Sequence, residues 1–389
     1  MKDDKNMDVN RLKIAFLTAS DAQDKKSRSG TLYYMGQALQ KHCGDVYYLG
    51  PLNTRMENLT RWFNNVSLKL FKKTYSYDHS ILLSISYARI IKRILREESF
   101  DLIFAPVAST EIVFIDTEIP IVYTSDATFA LISDYYPDYF SRQFFLSRME
   151  GDYIEKSAIR KADLILYPSK WAAQSAIKDY KSDKSKVKVI PFGANIDEPP
   201  SKIIIESKKK QGNCNLLFLG VDWKRKGGRI AFETLLELEK LGFIAELTVC
   251  GCIPPEECSH DRMTVIPFLD KNDKVQSKEL NELFLNSDFL LLPTRSEAYG
   301  VVFCEANAFG LPVITTDTGG VSSVIESGKN GFILPMNAEG SDYAKLIKEI
   351  YLHDEKYYKL VLSSREIFDE KLNWDAWAIN VNKLIKKII

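Results

Sequence analysis

Two glutamates, Glu297 and Glu305, stand eight positions apart in the stretch TRSEAYGVVFCEANAFGLPV, residues 294–313, with a glycine and an otherwise apolar run between them. Ionised carboxylates are seldom buried without partners. The segment is therefore either a helix with one wet face or a pair of acids that hold a ligand. The preceding FLLLPT reads as a strand, residues 294–299 as a polar loop, and the rest as a helix from about residue 300. Glu297 then lies in the loop and Glu305 about a turn inside the helix, so the two can converge on one ligand. Gly300 at the helix start lets a ligand approach free backbone amides, which together with the helix dipole favour a phosphate. The competing reading makes Glu297 an N-terminal cap and Glu305 a solvated position.

A second turn of the same kind is FLGVDWKRKGGRIAF, residues 218–232, where Lys224, Arg225 and Lys226 crowd before Gly227 and Gly228. Fixed cations at the mouth of a sheet suit a diphosphate, because they neutralise a leaving group as its bond to carbon breaks. Taken alone, the run is equally a solvated basic turn. A third turn, TTDTGGVSSVIESGKNGFILP, sets Thr318, Gly319 and Gly320 after another strand, either beside the same ligand or as a simple tight turn.

These turns need a parallel sheet to hold them. The first half of the chain alternates short apolar runs with amphipathic segments, predicting strands at 13–18, 45–50, 101–107, 120–124, 162–168 and 187–193. Helices are predicted over 31–42, 79–97, 141–161 and 169–179. DEPPSKIIIESKKKQGN, residues 197–213, reads as a linker on its proline pair, lysine run and glycine. The alternation then restarts, with strands at 214–220, 245–251, 263–269, 288–294, 312–317 and 331–335 and helices over 227–241 and 277–286. The expected fold is α/β, with two Rossmann-like domains facing across a cleft: residues 1–196, then the linker, then 214–370, with a terminal helix over 371–389.

At 389 residues the chain is long enough for two such domains. Lys plus Arg and Asp plus Glu are equal at 52 each, so the global charge gives no reason to expect a nucleic-acid partner. The apolar run near the N-terminus is too short for a signal peptide, and no later stretch has the length to cross a bilayer, so a cytoplasmic location is expected. Six scattered cysteines in apolar contexts fit reduced core thiols. Cys250, Cys252, Cys258 and His260 match no strong zinc spacing, and Cys304 reads as a packing residue. No Gly-x-Gly-x-x-Gly follows the first strand of either half, which disfavours a dehydrogenase.

With these segments in order, SGTLYYMGQAL, ADLILYPSKWAAQSA, VKVIPFGANID, DWKRKGG and RSEAYGVVFCEANAFGLPVITTDTGG, the chain resembles family 4 glycosyltransferases of the GT-B fold over nearly its whole length. That family transfers a sugar from a nucleotide-sugar donor with retention. The resemblance implies that Glu297 contacts donor hexose hydroxyls and Glu305 the ribose hydroxyls. It implies that amides around Ala298, Tyr299, Gly300 and Val301 support sugar and diphosphate, that Lys226 binds the leaving phosphate, and that Gly30 belongs to a glycine loop facing donor and acceptor. It further implies no metal and no cofactor beyond the donor; the chain has no Asp-x-Asp motif of the other large glycosyltransferase fold. The acceptor implied is a glycan or a lipid-linked saccharide in surface polysaccharide or glycolipid synthesis.

Three positions depart from the family pattern. Val221 stands where an arginine often follows FLG, leaving Arg225 or Lys224 to supply the second charge. Ser125 and Asp126 occupy the neighbourhood of a common histidine, and Phe192-Gly193 replaces Asn-Gly. Asp126 is either a supporting residue toward the substrates or a cap for the segment ATFALI. The departures keep two alternatives open: a GT-B-like nucleotide-sugar epimerase or hydrolase, and an inactive homologue that acts as a binding partner.

Two further stretches concern partners. RMENLTRWFNNVSLKLFKKTY, residues 55–75, mixes five basic residues with aromatics and leucines. It could rest on the inner membrane surface, but the favoured expectation is a helix whose aromatic side packs on the N-terminal sheet. SDYYPDYFSRQFF, residues 133–145, is read as lining the acceptor side. The tail places Trp374, Trp377, Ile379, Val381, Leu384 and Ile388 at helical spacing, and by resemblance this last helix crosses back to the N-terminal domain.

Overall fold

A computed structural model of the chain describes residues 11–136, 142–210 and 212–389. It divides into two compact units. The first gathers the residues up to Tyr167 with Ala172–Ile190 and Ala378–Ile389, and the second gathers Pro168–Trp171 and Pro191–Trp377.

The first unit is built on a six-stranded, all-parallel sheet. Its strands are β1 (Leu12–Phe16), β2 (Gly44–Tyr48), β3 (Leu102–Pro106), β4 (Ile121–Thr124), β5 (Leu164–Tyr167) and β6 (Val187–Val189), in the order β2-β1-β3-β4-β5-β6. Every residue of β3, β4 and β5 is buried. Helices therefore cover both faces, which is why these strands read as continuous apolar runs rather than as alternating ones. The strand order reverses between β1 and β3, and there the Ala19 amide donates to the buried Glu111 carboxylate at 2.7 Å. The loop after β1 ends in three consecutive left-handed residues, Arg28, Ser29 and Gly30, and Gly30 (φ 86°) opens the helix Thr31–His42.

One expectation for this unit fails. The segment 55–75 does form a helix, Arg55–Phe71, but its buried residues are Thr60 and Ser67, while Trp62, Leu70 and Phe71 are exposed. The aromatic side does not pack on the sheet, because two small hydroxyl residues two turns apart already make the inward face. Of the stretch 133–145, residues 137–141 lie outside the described residues.

The second unit repeats the architecture with β7 (Cys214–Leu219), β8 (Ala245–Cys250), β9 (Met263–Ile266), β10 (Phe289–Leu292), β11 (Val313–Thr316) and β12 (Gly331–Leu334). Its order is β12-β11-β10-β7-β8-β9, all parallel. Counted within the unit this is the Rossmann order 3-2-1-4-5-6, whose reversal falls between β7 and β10.

The segment read as a linker is mostly exposed but is not free-standing. It clusters with the second unit and carries the short helix Lys202–Glu206, whose Ile205 is buried against Gly310. Two of its lysines are engaged as well: Lys208 donates to the Ser287 carbonyl at 2.6 Å, and Lys210 meets Asp354 at 2.5 Å and lies over the Tyr351 ring at 4.5 Å. Burial pulls the Lys208 ammonium down to about 8.

The terminal helix is Trp374–Ile385. Its buried stripe is Trp374, Trp377, Ala378, Val381 and Ile385, whereas Ile379 is exposed and Leu384 and Ile388 are only partly covered. The helix residues up to Trp377 group with the second unit and those from Ala378 with the first.

Candidate functional site

In an open parallel sheet, ligands bind beyond the carboxyl ends of the strands where the order reverses. In the second unit that point lies between the loop after β7, which carries Lys224, Arg225 and Lys226, and the loop after β10, which carries Glu297. The backbone stitches the two loops together. Arg295 N donates to Arg225 O at 2.8 Å, and the Arg225 guanidinium donates to Ser296 O at 2.9 Å. Asp222 shapes the basic turn from within, accepting from Arg225 N at 3.0 Å through its side chain and from Lys226 N at 2.9 Å through its carbonyl.

Gly227 makes the close approach possible. It sits at φ 76°, and a Cβ there would fall 1.9 Å from the Pro293 carbonyl oxygen. The following helix, Gly228–Lys240, is capped by this glycine, and Lys226 just before it is buried.

Lys226 and Glu297 form a buried ion pair. Each partner relieves the desolvation of the other. A lysine ammonium has three donors and a carboxylate about four acceptor sites, so one ion pair does not exhaust the hydrogen-bonding capacity of either group.

Gly300 (φ 90°) precedes the helix Val301–Ala308, and Glu305 is the fifth residue of that helix. It is buried, which removes the reading as a solvated position, and Lys271 Nζ meets its Oε1 at 2.5 Å. The same ammonium lies 3.4 Å from Asn195 O, and Asn195 Oδ1 accepts from Trp374 Nε1 at 3.0 Å. Sequence reasoning missed both Lys271 and Asn195. Lys271 had a signal, since it follows β9 in the polar turn DKND, on the same strand-end edge as the other two loops.

The third turn joins the site through backbone. Gly320 N donates to Glu297 O at 3.2 Å, and a Cβ on Gly320 would lie 2.1 Å from Ala298 O. Thr318 is buried and Gly319 is left-handed at φ 53°. Lys224 and Val221 are exposed on the outer side of their turn.

Tyr299 points inward. Its hydroxyl donates to Phe192 O at 3.0 Å, its ring packs on Phe192, and burial holds its pKa far above the ordinary phenol range. Only its backbone is available to a ligand. Cys304 packs beside it with Sγ 3.5 Å from Phe192 O, and burial pushes its thiol up to about 12. Burial also raises Cys43 to about 12 and Cys250 and Cys252 to about 11. Among the described residues no cluster of three or more His, Cys, Asp or Glu could hold a metal ion, and His260 instead faces Glu239 at 3.2 Å.

Gly30 and Asp126 belong to the first unit. Asp126 is exposed, and the cap of the helix Phe129–Tyr135 is Thr128, whose hydroxyl accepts from Leu131 N at 3.4 Å, so the capping reading of Asp126 falls. Ser125 is buried and donates to Ala127 O at 2.8 Å.

Two family models match the chain, Glycosyltransferase Family 4 over residues 31–198 and Glycosyl transferases group 1 over residues 272–367. The D-inositol 3-phosphate glycosyltransferase of Corynebacterium jeikeium is 23% identical over 291 residues, 70% of this chain and 67% of that protein. The sucrose-phosphate synthase of Thermosynechococcus elongatus superposes with a TM-score of 0.67 at 17% identity, covering 97% of this chain and 99% of the other. Anabaena HepE in complex with UDP-glucose gives a TM-score of 0.62 at 16% identity over the same shares. Two Rossmann-like units with glycosyltransferase neighbours along nearly their full length are the GT-B fold, and the chain belongs to the group 1, family 4-like glycosyltransferases.

Proposed function

We propose that this chain is a retaining hexosyltransferase that takes a nucleoside diphosphate sugar as donor and a glycan or lipid-linked saccharide as acceptor. The observation that carries this reading is the pairing of Lys226 with Glu297 and of Lys271 with Glu305 beyond the carboxyl ends of the strands of a Rossmann-ordered sheet. Each pair presents acceptors for hydroxyls beside donors for an anion, which is what a sugar linked to a diphosphate and a ribose requires. The UDP-glucose bound by Anabaena HepE supports a uridine nucleotide as the first donor to try.

In the proposed reaction Glu297 accepts hydrogen bonds from donor hexose hydroxyls, and Glu305 accepts from the ribose hydroxyls. The bond from the anomeric carbon to the diphosphate oxygen breaks, and a bond from that carbon to the acceptor oxygen forms on the same face. The acceptor proton passes to the departing diphosphate, so no strong protein base is needed. Lys226 and Arg225 stabilise the charge that develops on the leaving group, with no metal assigned to that task. Gly30 is assigned to a glycine loop facing donor and acceptor, and Asp126 to a supporting role toward the acceptor or the donor's outer hydroxyls. We place the activity on the cytoplasmic face of a membrane, in surface polysaccharide or glycolipid synthesis; among the described residues no helix is long and apolar enough to cross a bilayer.

The test is incubation with UDP-, GDP- and ADP-sugars, with and without saccharide or lipid acceptors, reading nucleotide release and the anomeric configuration of the product. Release coupled to acceptor, with the donor configuration kept, supports the reading. Turnover of the sugar without any acceptor would assign an epimerase or hydrolase, and binding without turnover an inactive homologue.

A further inference from the structure

The helix Arg55–Phe71 has its amphipathicity inverted relative to a helix packed on a core. Thr60 and Ser67 face inward, while Trp62, Leu70 and Phe71 are 55%, 70% and 58% exposed. Large apolar side chains gathered on a surface mark an interaction site.

The helix is joined to a second exposed apolar stretch. Thr74 N donates to Arg142 O at 2.8 Å and Phe144 N to Thr74 O at 2.7 Å, and the Phe71 and Phe144 rings stack 5.7 Å apart. This ties the end of the helix Arg55–Phe71 to the start of the helix Phe145–Lys161, whose Phe145, Leu146 and Met149 are each more than half exposed. The two ends form one patch.

The charge of the patch is one-sided. Residues 65–73 and 142–149 contain Lys69, Lys72, Lys73, Arg142 and Arg148 and no Asp or Glu, in a chain whose total charge is zero. One of the five, Arg148, reaches Asp134 at 2.6 Å. Lysines and arginines interleaved with Phe, Leu and Met suit an interface in which rings and aliphatic chains enter the acyl boundary while ammonium and guanidinium groups stay at the level of phosphate headgroups. Charge complementarity selects an anionic surface.

We propose that these two joined helix ends form a docking surface for an anionic phospholipid bilayer. The docking stands apart from the transfer reading, since it needs neither donor nor acceptor.

Pelleting of the full chain with vesicles tests it. One set is phosphatidylcholine alone and the other carries about one-third phosphatidylglycerol, a composition chosen to give a negative surface potential. The wild type should bind the anionic vesicles at least about tenfold more tightly, and the preference should shrink in high salt. Leu70→Ser with Phe71→Ser and Phe145→Ser should lose binding to both sets. Lys69→Gln with Lys72→Gln and Lys73→Gln should lose about tenfold or more on anionic vesicles only. These side chains are exposed, so circular dichroism should show the same helix content in every variant. The proposal is overturned if wild type and variants pellet alike or if the wild type binds neither vesicle. It is also overturned if the serine variant abolishes concentration-dependent self-association in the absence of vesicles, which would assign the patch to a second copy of the chain.

Discussion

Lys226 and Glu297, 71 positions apart in the chain, pair their charges with only 10% and 11% of their side chains exposed. Removing one partner leaves the other buried and uncompensated, at a cost of about 3–5 kcal/mol. Lys226→Met and Glu297→Leu should each lower the free energy of unfolding obtained from urea titration by that amount, and the double variant should recover most of the loss. Transfer should fall by at least about 10²-fold in all three, because the charge stabilisation of the leaving group goes with the pair. Single variants as stable as wild type would remove the pair from the structural account.

Lys271 and Glu305 should separate from this behaviour in kinetics. If Glu305 holds the ribose, the contact is present in ground state and transition state alike. Lys271→Met should then raise the donor KM about tenfold with little change in kcat, whereas Glu297→Ala should act mainly on kcat. Equal loss of kcat from both would place Lys271 at the reacting bond.

Gly227 offers a steric test with an internal control. Gly227→Ala must carry a Cβ at φ 76° and 1.9 Å from the Pro293 carbonyl oxygen, whereas Gly242→Ala meets only the strain of φ 65°, with nothing within 4 Å. Strain alone costs about 1 kcal/mol. Gly227→Ala should therefore be clearly the less stable of the two in thermal melts and should lose activity by moving Lys226. Similar melts for both would mean that the two loops at the sheet reversal separate freely.

Burial lifts the Glu111 carboxyl from 4.5 to about 7, although the Ala19 amide, His79 and Arg28 pull the other way. Below about pH 4.5 the acid is neutral in both folded and unfolded chains and contributes nothing. As the pH rises toward 7 the unfolded chain ionises first, so stability falls across that window, by up to about 3 kcal/mol, and stays lower above it. Glu111→Gln keeps an acceptor for Ala19 and removes the titration. Its melting temperature should match wild type near pH 4 and exceed it near pH 8. A gain at both values, or at neither, would contradict the burial argument.

Much of the fold was legible because parallel strands buried on both faces are short apolar runs bounded by turns, and LIFAP and FLLL announce themselves in that way. Strand ends were overread, as in 187–193 for Val187–Val189, because Phe192 and Gly193 are apolar for another reason. Phe192 stacks on Trp374, and Gly193 lies against its backbone. Glu297, Glu305 and Lys226 were found because acids and a basic cluster at strand ends are conspicuous in an apolar neighbourhood. Lys271 was missed because a single lysine in a polar turn looks like any solvated residue until the fold brings it to a carboxylate. The helix Arg55–Phe71 was turned the wrong way because periodicity reports an apolar stripe without reporting what covers it.

The burial that silences Cys304 and its fellow thiols makes the chain convenient to label. With Cys250 and Cys252 held at about 11 and Cys43 and Cys304 at about 12, against 9.0 for an ordinary thiol, each carries about a hundredth of the usual thiolate or less near neutral pH. A cysteine introduced at an open position such as Ile203 should outpace them in reaction with a maleimide fluorophore. Spectroscopic probes can then be attached one at a time, with these four native cysteines left in place.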